Sequence, residues 1–505
     1  MIANPLSSIA LFSALTSLAQ ICSAYDLQDA LKDAIAVDPV TAATSAALRA
    51  AKEKVPQANA LTLPTVNGTT AINRQLTDTN LAPTRKFTSQ NYGFNLTYPL
   101  YRAQNIETLE QAKLSVAVAE SQLASAQQEL IVKVAQAYFD VLAAQDSLSV
   151  IRAQKRAISE QLQQAKRNFE VGTATITDQQ EAQAKFDLVI FQEIAGLNDL
   201  ENKRSALAIL TGKTVKDIDT LKEGVVLSGP QPSAWADWAD AAKKNNYSVQ
   251  QAQIAVENAK REITKQRLAS RVTVDLVGSV SHTESAIASA IGIFANNAAL
   301  GVQLNVPLYT GGAIESRVRE AAANLNKSEF DLGNAQNQAE LGARQAYLGL
   351  NSLINQVTAL QAAEKSSRLA LDSNQLGYQV GVRINIDVLN AQQQVFSTQR
   401  DLAKARYDVI VNGLKLKATA AALKPEDVAA VSALLEAPKP EVTPPAVPAT
   451  STSPTTPATP PTVSVPAAAA SSPTLSEKPA PVKQSRGGRS LKPIDPTSSP
   501  VKPAK

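Results

Sequence analysis

The segment NLTYPLY at residues 95–101 returns as QLNVPLY at residues 303–309, about 208 positions further along the chain. Two more pairs of segments recur in the same order and at nearly the same offset: AQAYFDVL at 135–142 with RQAYLGL at 344–350, and FEVGTATITD at 169–178 with YQVGVRINID at 378–387. A period of this length is too long for a solenoid. The chain is therefore predicted to consist of two large, pseudo-symmetric halves.

Each repeat contains segments in which apolar and polar residues alternate. In 91–101, Tyr92, Phe94 and Leu96 share one face and Asn91, Gly93 and Asn95 share the other. The copy around 300–309 alternates in the same way, and the upstream partner segments are 65–75, which alternates more weakly, and 273–281. Alternation over about 10 residues predicts a strand of the length that crosses a bilayer. We therefore predict two hairpins, at 65–101 and 273–309.

The remainder of each repeat has a helical period and hardly any proline. The long helices are expected at 103–168 and 177–210, and at 313–375 and 386–422, after shorter helices near 26–60 and 234–270. A helix of about 65 residues spans about 100 Å, which indicates a coiled coil and not a compact domain.

The apolar faces of the strands have no helical layer of their own to pack on, which favours a membrane sheet over a half-buried soluble sheet. A bilayer-spanning sheet has to close, and bacterial barrels start at about eight strands. Four strands per chain therefore predict an oligomer.

The two termini differ from the repeats in composition. Residues 1–24 resemble a secretory signal that lacks a charged start, with cleavage after Ala24 favoured over a lipid anchor on Cys22; an ordinary N-terminal helix is the alternative. The tail 423–505 is rich in proline, alanine, serine and threonine and is predicted to be disordered.

The net charge is only +4, and no basic cluster alternates with aromatic residues, so no nucleic-acid partner is expected.

No catalytic motif is present. The single histidine, His282, is a poor metal site or base on its own, and the TGG at 310–312 lacks the lysine of a phosphate-binding loop. We expect neither enzymatic activity nor a cofactor nor a metal.

Polar residues gather at the two helical turns. Asp178 follows Gly172, while Tyr378, Arg383 and Asp387 surround Gly381. Helix capping explains the glycines, and Thr177 with Gln180 is predicted to form a capping box. For the charged residues, capping and a functional role both stay open.

Taken together, the duplicated halves, the PLY strand ends, the AY positions at Tyr138 and Tyr347, and the VGT and VGVR turns followed by TD or ID resemble the TolC family of outer-membrane channel proteins. The resemblance implies an α+β membrane protein: a long α-helical coiled-coil barrel, and a transmembrane β-barrel completed by trimerisation with four strands per chain. It also implies an equatorial collar and a location in the outer membrane, with the helical body in the periplasm. The implied activity is the export of solutes or proteins without a chemical reaction.

The resemblance also assigns roles at the turns. Tyr378 and Arg383 match residues that link to the carboxylate of Asp178 and close the periplasmic end, and Asp387 matches an aspartate that narrows the aperture and favours cations. A second acidic position is Asn390 here, so the entrance should be less electronegative. The exposed turns are predicted to dock a periplasmic adaptor through Val171, Gly172, Thr173, Val380, Gly381 and Val382.

The predicted organisation is a signal peptide at 1–24, a first repeat at 25–211, a linker at 212–233, a second repeat at 234–422 and the tail at 423–505. The leading interpretation is a homotrimeric exit duct in outer-membrane lipid that works with an adaptor and an inner-membrane efflux pump or ABC exporter, in efflux or type I secretion. A structural periplasmic coiled coil or a surface adhesin is the alternative, which the paired hairpins disfavour.

Overall fold

The computed structural model describes residues 25–80, 82–215, 218–222, 224–225, 228–285 and 293–437. The predicted signal peptide, with Cys22, and the tail beyond residue 437 lie outside the described residues. The fold is α+β, with long helices and one four-stranded sheet. No helix in the described part of the chain combines the length and the hydropathy needed to cross a membrane.

The two repeats have the same order of elements: two short helices, a hairpin and two long helices. The first consists of α1 (Leu27–Val37), α2 (Pro39–Ala60), β1 (Thr65–Thr79), β2 (Ala82–Tyr101), α3 (Ala103–Glu170) and α4 (Ile176–Thr211). After β3 (Thr220–Leu221), the second consists of α5 (Trp235–Asn245), α6 (Tyr247–Leu268), β4 (Thr273–Ser285), β5 (Ile293–Asn305), α7 (Ala313–Gln379) and α8 (Asn385–Thr419). The chain continues into α9 (Pro425–Ser432) and β6 (Leu435–Glu436). The long helices end within about one turn of their predicted limits.

The helix expected over 26–60 is in fact two helices, and so is its copy. Asp38 ends α1 and caps α2: its Oδ2 accepts hydrogen bonds from the N–H and the hydroxyl of Thr41, both at 2.7 Å. Pro39 stands in the first turn of α2, where its missing N–H costs nothing. In the second repeat, Asn246 separates α5 from α6 in the same way and accepts from the N–H of Ser248.

The two hairpins form one antiparallel sheet in the order β1-β2-β4-β5. The repeats meet between β2 and β4, where Tyr98 lies opposite Leu276, which in turn lies opposite Val302 of β5. The apolar face is uncovered: Phe94 is 66% exposed and Leu300 is 75% exposed. Within the described chain, β1 and β5 each keep one unpaired edge.

Part of the predicted disordered tail is folded, so the prediction for 423–505 is wrong at its beginning. The side chains of Leu423, Val428 and Leu435 are buried in the main apolar cluster. Strand β6 pairs with β3, and Lys417 forms an ion pair with Asp427 of α9 at 2.7 Å. The segment up to residue 437 therefore returns to the middle of the helices and packs there.

The two tyrosines of the repeated AY segments serve the same purpose in both halves. The Tyr138 hydroxyl donates to the backbone carbonyl of Tyr25 at 2.9 Å and to that of Asp219 at 3.2 Å. In the second repeat, the Tyr347 hydroxyl donates to the carbonyl of Ser233. Each tyrosine thus fastens a long helix to the chain just before the first helix of its repeat.

Candidate functional site at the helical turns

One glycine turn connects the two long helices in each repeat. Gly172 has φ +79° and Gly381 has φ +77°, a left-handed conformation that L side chains rarely adopt. The N–H of Thr173 donates to the carbonyl of Asn168, and the N–H of Val382 donates to the carbonyl of Gly377. These bonds satisfy the carbonyls at the two helix ends, as a glycine C-cap does.

The turns are exposed and apolar. Val171 is 72% exposed, Val380 is 66% exposed and Val382 is 78% exposed. A Cβ atom added to Gly172 or to Gly381 would find no atom within 4 Å. The predicted docking residues therefore form two open tips with free space around them.

Asp178 caps α4. Its carboxylate accepts from the N–H of Thr175 at 2.9 Å and from the Thr175 hydroxyl at 2.7 Å, while the Asp178 N–H donates to that hydroxyl at 3.2 Å. This is the capping box, and the prediction of Thr177 with Gln180 was wrong by two residues. An acidic side chain here also complements the helix dipole.

Arg383 and Asp387 form an ion pair at 3.6 Å, one turn apart along the chain. The Arg383 side chain is 58% exposed, so a pair of this kind contributes only about 0–1 kcal/mol. Gly377 makes room for the arginine, because a Cβ at Gly377 would lie 2.8 Å from the Arg383 Cγ. Sequence reasoning missed this requirement, which depends on the path of the next turn.

Tyr378 accepts a long hydrogen bond, 3.5 Å, from the side-chain amide of Asn168. Among the described residues of one chain, no hydrogen bond or ion pair joins the Asp178 carboxylate to Tyr378 or Arg383. The structure therefore brings Arg383 and Asp387 together, and it places Asp178 and Tyr378 at the same end of the helices with other partners.

A buried polar pair near the turns was not anticipated. The Gln161 amide donates to the side-chain oxygen of Asn385 at 2.6 Å, and the Asn385 amide donates to the backbone carbonyl of Asp178 at 3.3 Å. Asn385 is completely buried and is the first residue of α8. The only hint in the sequence is an asparagine between two isoleucines, at 384–386.

The single histidine has no catalytic setting. The His282 ring lies on the sheet between the rings of Tyr92 and Phe294, at centroid distances of 6.4 and 6.0 Å. Its Nδ1 is 2.6 Å from the side-chain oxygen of Asn296. Within the described ranges, no three His, Cys, Asp or Glu side chains are grouped as a metal site would require.

Comparison with known proteins gives concordant matches. Residues 30–213 and 238–421 match the family model described as outer membrane efflux protein. The chain is 31% identical to outer membrane protein TolC of Vibrio cholerae over 430 residues, covering 85% of this chain and 98% of that protein. It is 28% identical to the alkaline protease secretion protein AprF of Pseudomonas aeruginosa, over 69% and 73% of the two chains. The crystal structure of the outer membrane protein VceC from Vibrio cholerae superimposes with a TM-score of 0.66 at 17% identity, covering 78% of this chain and 96% of that one.

Proposed function

The chain belongs to the outer membrane efflux protein family, and on that premise we propose that three copies form a continuous exit duct through the outer membrane and the periplasm. The family consists of outer-membrane channel proteins and not of enzymes, so the chain is an outer-membrane transport protein. The trimer, the duct and its partners are the proposal.

The observation that carries the proposal is the open sheet. In the described part of the chain, its four strands have an uncovered apolar face and two unpaired edges, at β1 and β5. Hydrocarbon offers no hydrogen bonds to an unpaired edge, so a spanning sheet has to close on itself. Pairing of β5 with β1 of the next copy closes it, and the family resemblance supports three copies.

The helical body supports the same assembly. Helix α3 packs on α4 and on α8, and α8 packs on α7, so α4 and α7 are the outer members of the set. On α7, four leucines spaced at multiples of seven residues are exposed: Leu341, Leu348, Leu369 and Leu376. On α4, Phe191 is 66% exposed and Ile194 is 57% exposed. These two unpartnered apolar stripes are suited to meet across copies, as in a coiled coil.

The gate is proposed to lie at the helical turns. In a ring of three chains, Asp178 of one copy is available to Tyr378 and Arg383 of its own or a neighbouring copy, and three sets of weak links act together. Asp387 is proposed to line the aperture and favour cations, with Asn390 leaving a single acidic ring.

The exposed tips at Gly172 and Gly381 are proposed to receive a periplasmic adaptor that connects the duct to an efflux pump or an ABC exporter.

Two measurements test the proposal. Native mass spectrometry of the detergent-solubilised protein should give the mass of three chains, and a protein that inserts into lipid as a monomer would exclude the shared barrel.

In planar bilayers, Asp387→Ala should lower the preference for cations, with Asp401→Ala as the control at an acidic α8 position away from the turns. Unchanged selectivity would remove Asp387 from the aperture.

A further inference from the structure

A buried pair of amides holds the start of α8 against the α3–α4 hairpin. Gln161 of α3 donates to Asn385 at 2.6 Å, and Asn385 donates onward to the carbonyl of Asp178, near the start of α4. Asn385 is 0% exposed and Gln161 is 9% exposed. One side chain of the second repeat thus touches both long helices of the first.

The surroundings of this pair are apolar. Side chains of α3, α4 and α8 form one buried cluster next to it: Ile151, Ile158, Leu162, Ala165, Ala182, Val189 and Leu389. In such surroundings an amide–amide hydrogen bond is strong, and an amide without a partner is costly. The pair therefore favours the one arrangement in which both amides are satisfied.

The position of Asn385 relates it to the gate. It stands two residues after Arg383 and two residues before Asp387, and its partner carbonyl belongs to Asp178. By contrast, the end of α7 is tied to the first repeat near the turn by the 3.5 Å bond of Tyr378. Asn385 thus fixes the backbone between two gate residues relative to the third.

We infer that Gln161 and Asn385 form a latch within each chain that positions Arg383 and Asp387 and keeps the start of α8 on the α3–α4 hairpin while the channel is closed. The inference rests on the proposed function, since it needs a gate at these turns. Both residues are positioning residues: neither has to touch the transported substrate.

Opening that carries the start of α8 away from the α3–α4 hairpin has to break both hydrogen bonds. If Asn385 becomes a leucine, the Gln161 amide stays buried without this partner in the closed state; if Gln161 becomes a leucine, the Asn385 side-chain oxygen loses its donor there, although the Asn385 amide still donates to the Asp178 carbonyl. In the open state the remaining amide reaches water. Each single replacement therefore favours opening. If both amides become leucine, no side-chain amide is left unsatisfied, and the closed state recovers because replacing both partners is nearly neutral.

The experiment compares Asn385→Leu, Gln161→Leu and the double variant in planar bilayers. Each single variant should raise the open-time fraction about tenfold, which corresponds to about 1.4 kcal/mol, and the double variant should lie below both. The matched control is Gln154→Leu: Gln154 lies one heptad before Gln161, is 3% exposed, and its Oε1 has no hydrogen-bond partner among the described residues. It should conduct like the wild type.

The latch is overturned if the single variants conduct like Gln154→Leu, or if the double variant opens more than either single variant. Wild-type protein that forms no channel would instead refute the proposed duct, so the two failures are distinguishable. Native mass spectrometry verifies that each variant assembles.

If a single variant fails to assemble, a covalent crosslink between positions 161 and 385 tests the latch instead. In a Cys22→Ser background, Gln161→Cys and Asn385→Cys are joined by a short thiol crosslinker. The lock should suppress the extra conductance expected of Arg383→Ser with Tyr378→Phe. Undiminished conductance of locked channels would refute the latch.

Discussion

Removing one hydroxyl from each repeated tyrosine should have unequal effects, although the two bonds are chemically the same. Tyr138 is 0% exposed and donates to two backbone carbonyls, of Tyr25 and Asp219. Tyr347 donates to the carbonyl of Ser233, which is exposed. The perturbations are Tyr138→Phe and Tyr347→Phe.

The expected magnitudes follow from burial. In Tyr138→Phe a net hydrogen bond is lost and two half-buried residues, Tyr25 and Asp219, lose the donor to their carbonyls, for a total of about 1.5–2.5 kcal/mol. Among the described residues, the Tyr25 carbonyl then keeps only a long bond from the Asp219 N–H, at 3.4 Å. In Tyr347→Phe water replaces the hydroxyl at the Ser233 carbonyl, so the loss should stay below about 0.5 kcal/mol.

Hydrogen exchange of backbone amides reads out these local losses. A loss of about 1.4 kcal/mol increases local opening tenfold, so amides of α1 should exchange about ten- to sixtyfold faster in Tyr138→Phe. Amides of α5 should change by less than about threefold in Tyr347→Phe. Equal changes in the two variants, or the opposite order, would refute the argument that burial sets the value of this repeated bond.

Three further predictions concern the gate, the tips and a half-buried carboxylate. Arg383→Ser with Tyr378→Phe should raise single-channel conductance in planar bilayers with little change in the thermal midpoint, since exposed links contribute little to global stability; wild-type conductance would show that these residues are only caps. Gly172→Trp should block export without loss of the trimer, whereas Gly172→Asn should leave export intact because asparagine tolerates a positive φ. Export at the wild-type level by the Trp variant would exclude the tip as a docking surface. Burial raises the pKa of the Asp146 carboxyl, against the opposing effects of the Tyr407 hydroxyl at 2.5 Å and of Arg406, so its contribution to stability is present at low pH and is lost as pH rises through the raised value. Asp146→Asn should therefore raise the thermal midpoint more at about pH 8 than at about pH 5, and an equal shift at both would contradict this.

The repeat made most of the fold predictable. Segments ending at Tyr101 and Tyr309 end the second hairpin strand or lie just beyond it, and Gly172 and Gly381 both adopt a positive φ between long helices. These features depend on local periodicity and on glycine geometry, which a sequence displays directly. The break at Asp38 was also visible in principle, since an aspartate before a proline is a helix-start signal.

What could not be predicted depends on distant contacts. The buried Asn385 side-chain oxygen accepts a hydrogen bond from Gln161, 224 positions away on another helix, and no local period encodes that contact. The proline-rich composition of the tail masked the signal of α9. Pro425 stands in the first turn of that helix, where proline is favoured, and does not interrupt it. Strand β6 has only two residues, too few to show alternation. The proposed inter-chain links of Asp178 need a second copy, which the sequence of one chain does not describe.

The most direct test of the central claim is conductance. Purified protein of trimeric mass, reconstituted in planar bilayers, should produce discrete current steps of uniform size with a preference for cations. A trimer that inserts into the bilayer and yields no current steps would contradict the exit duct.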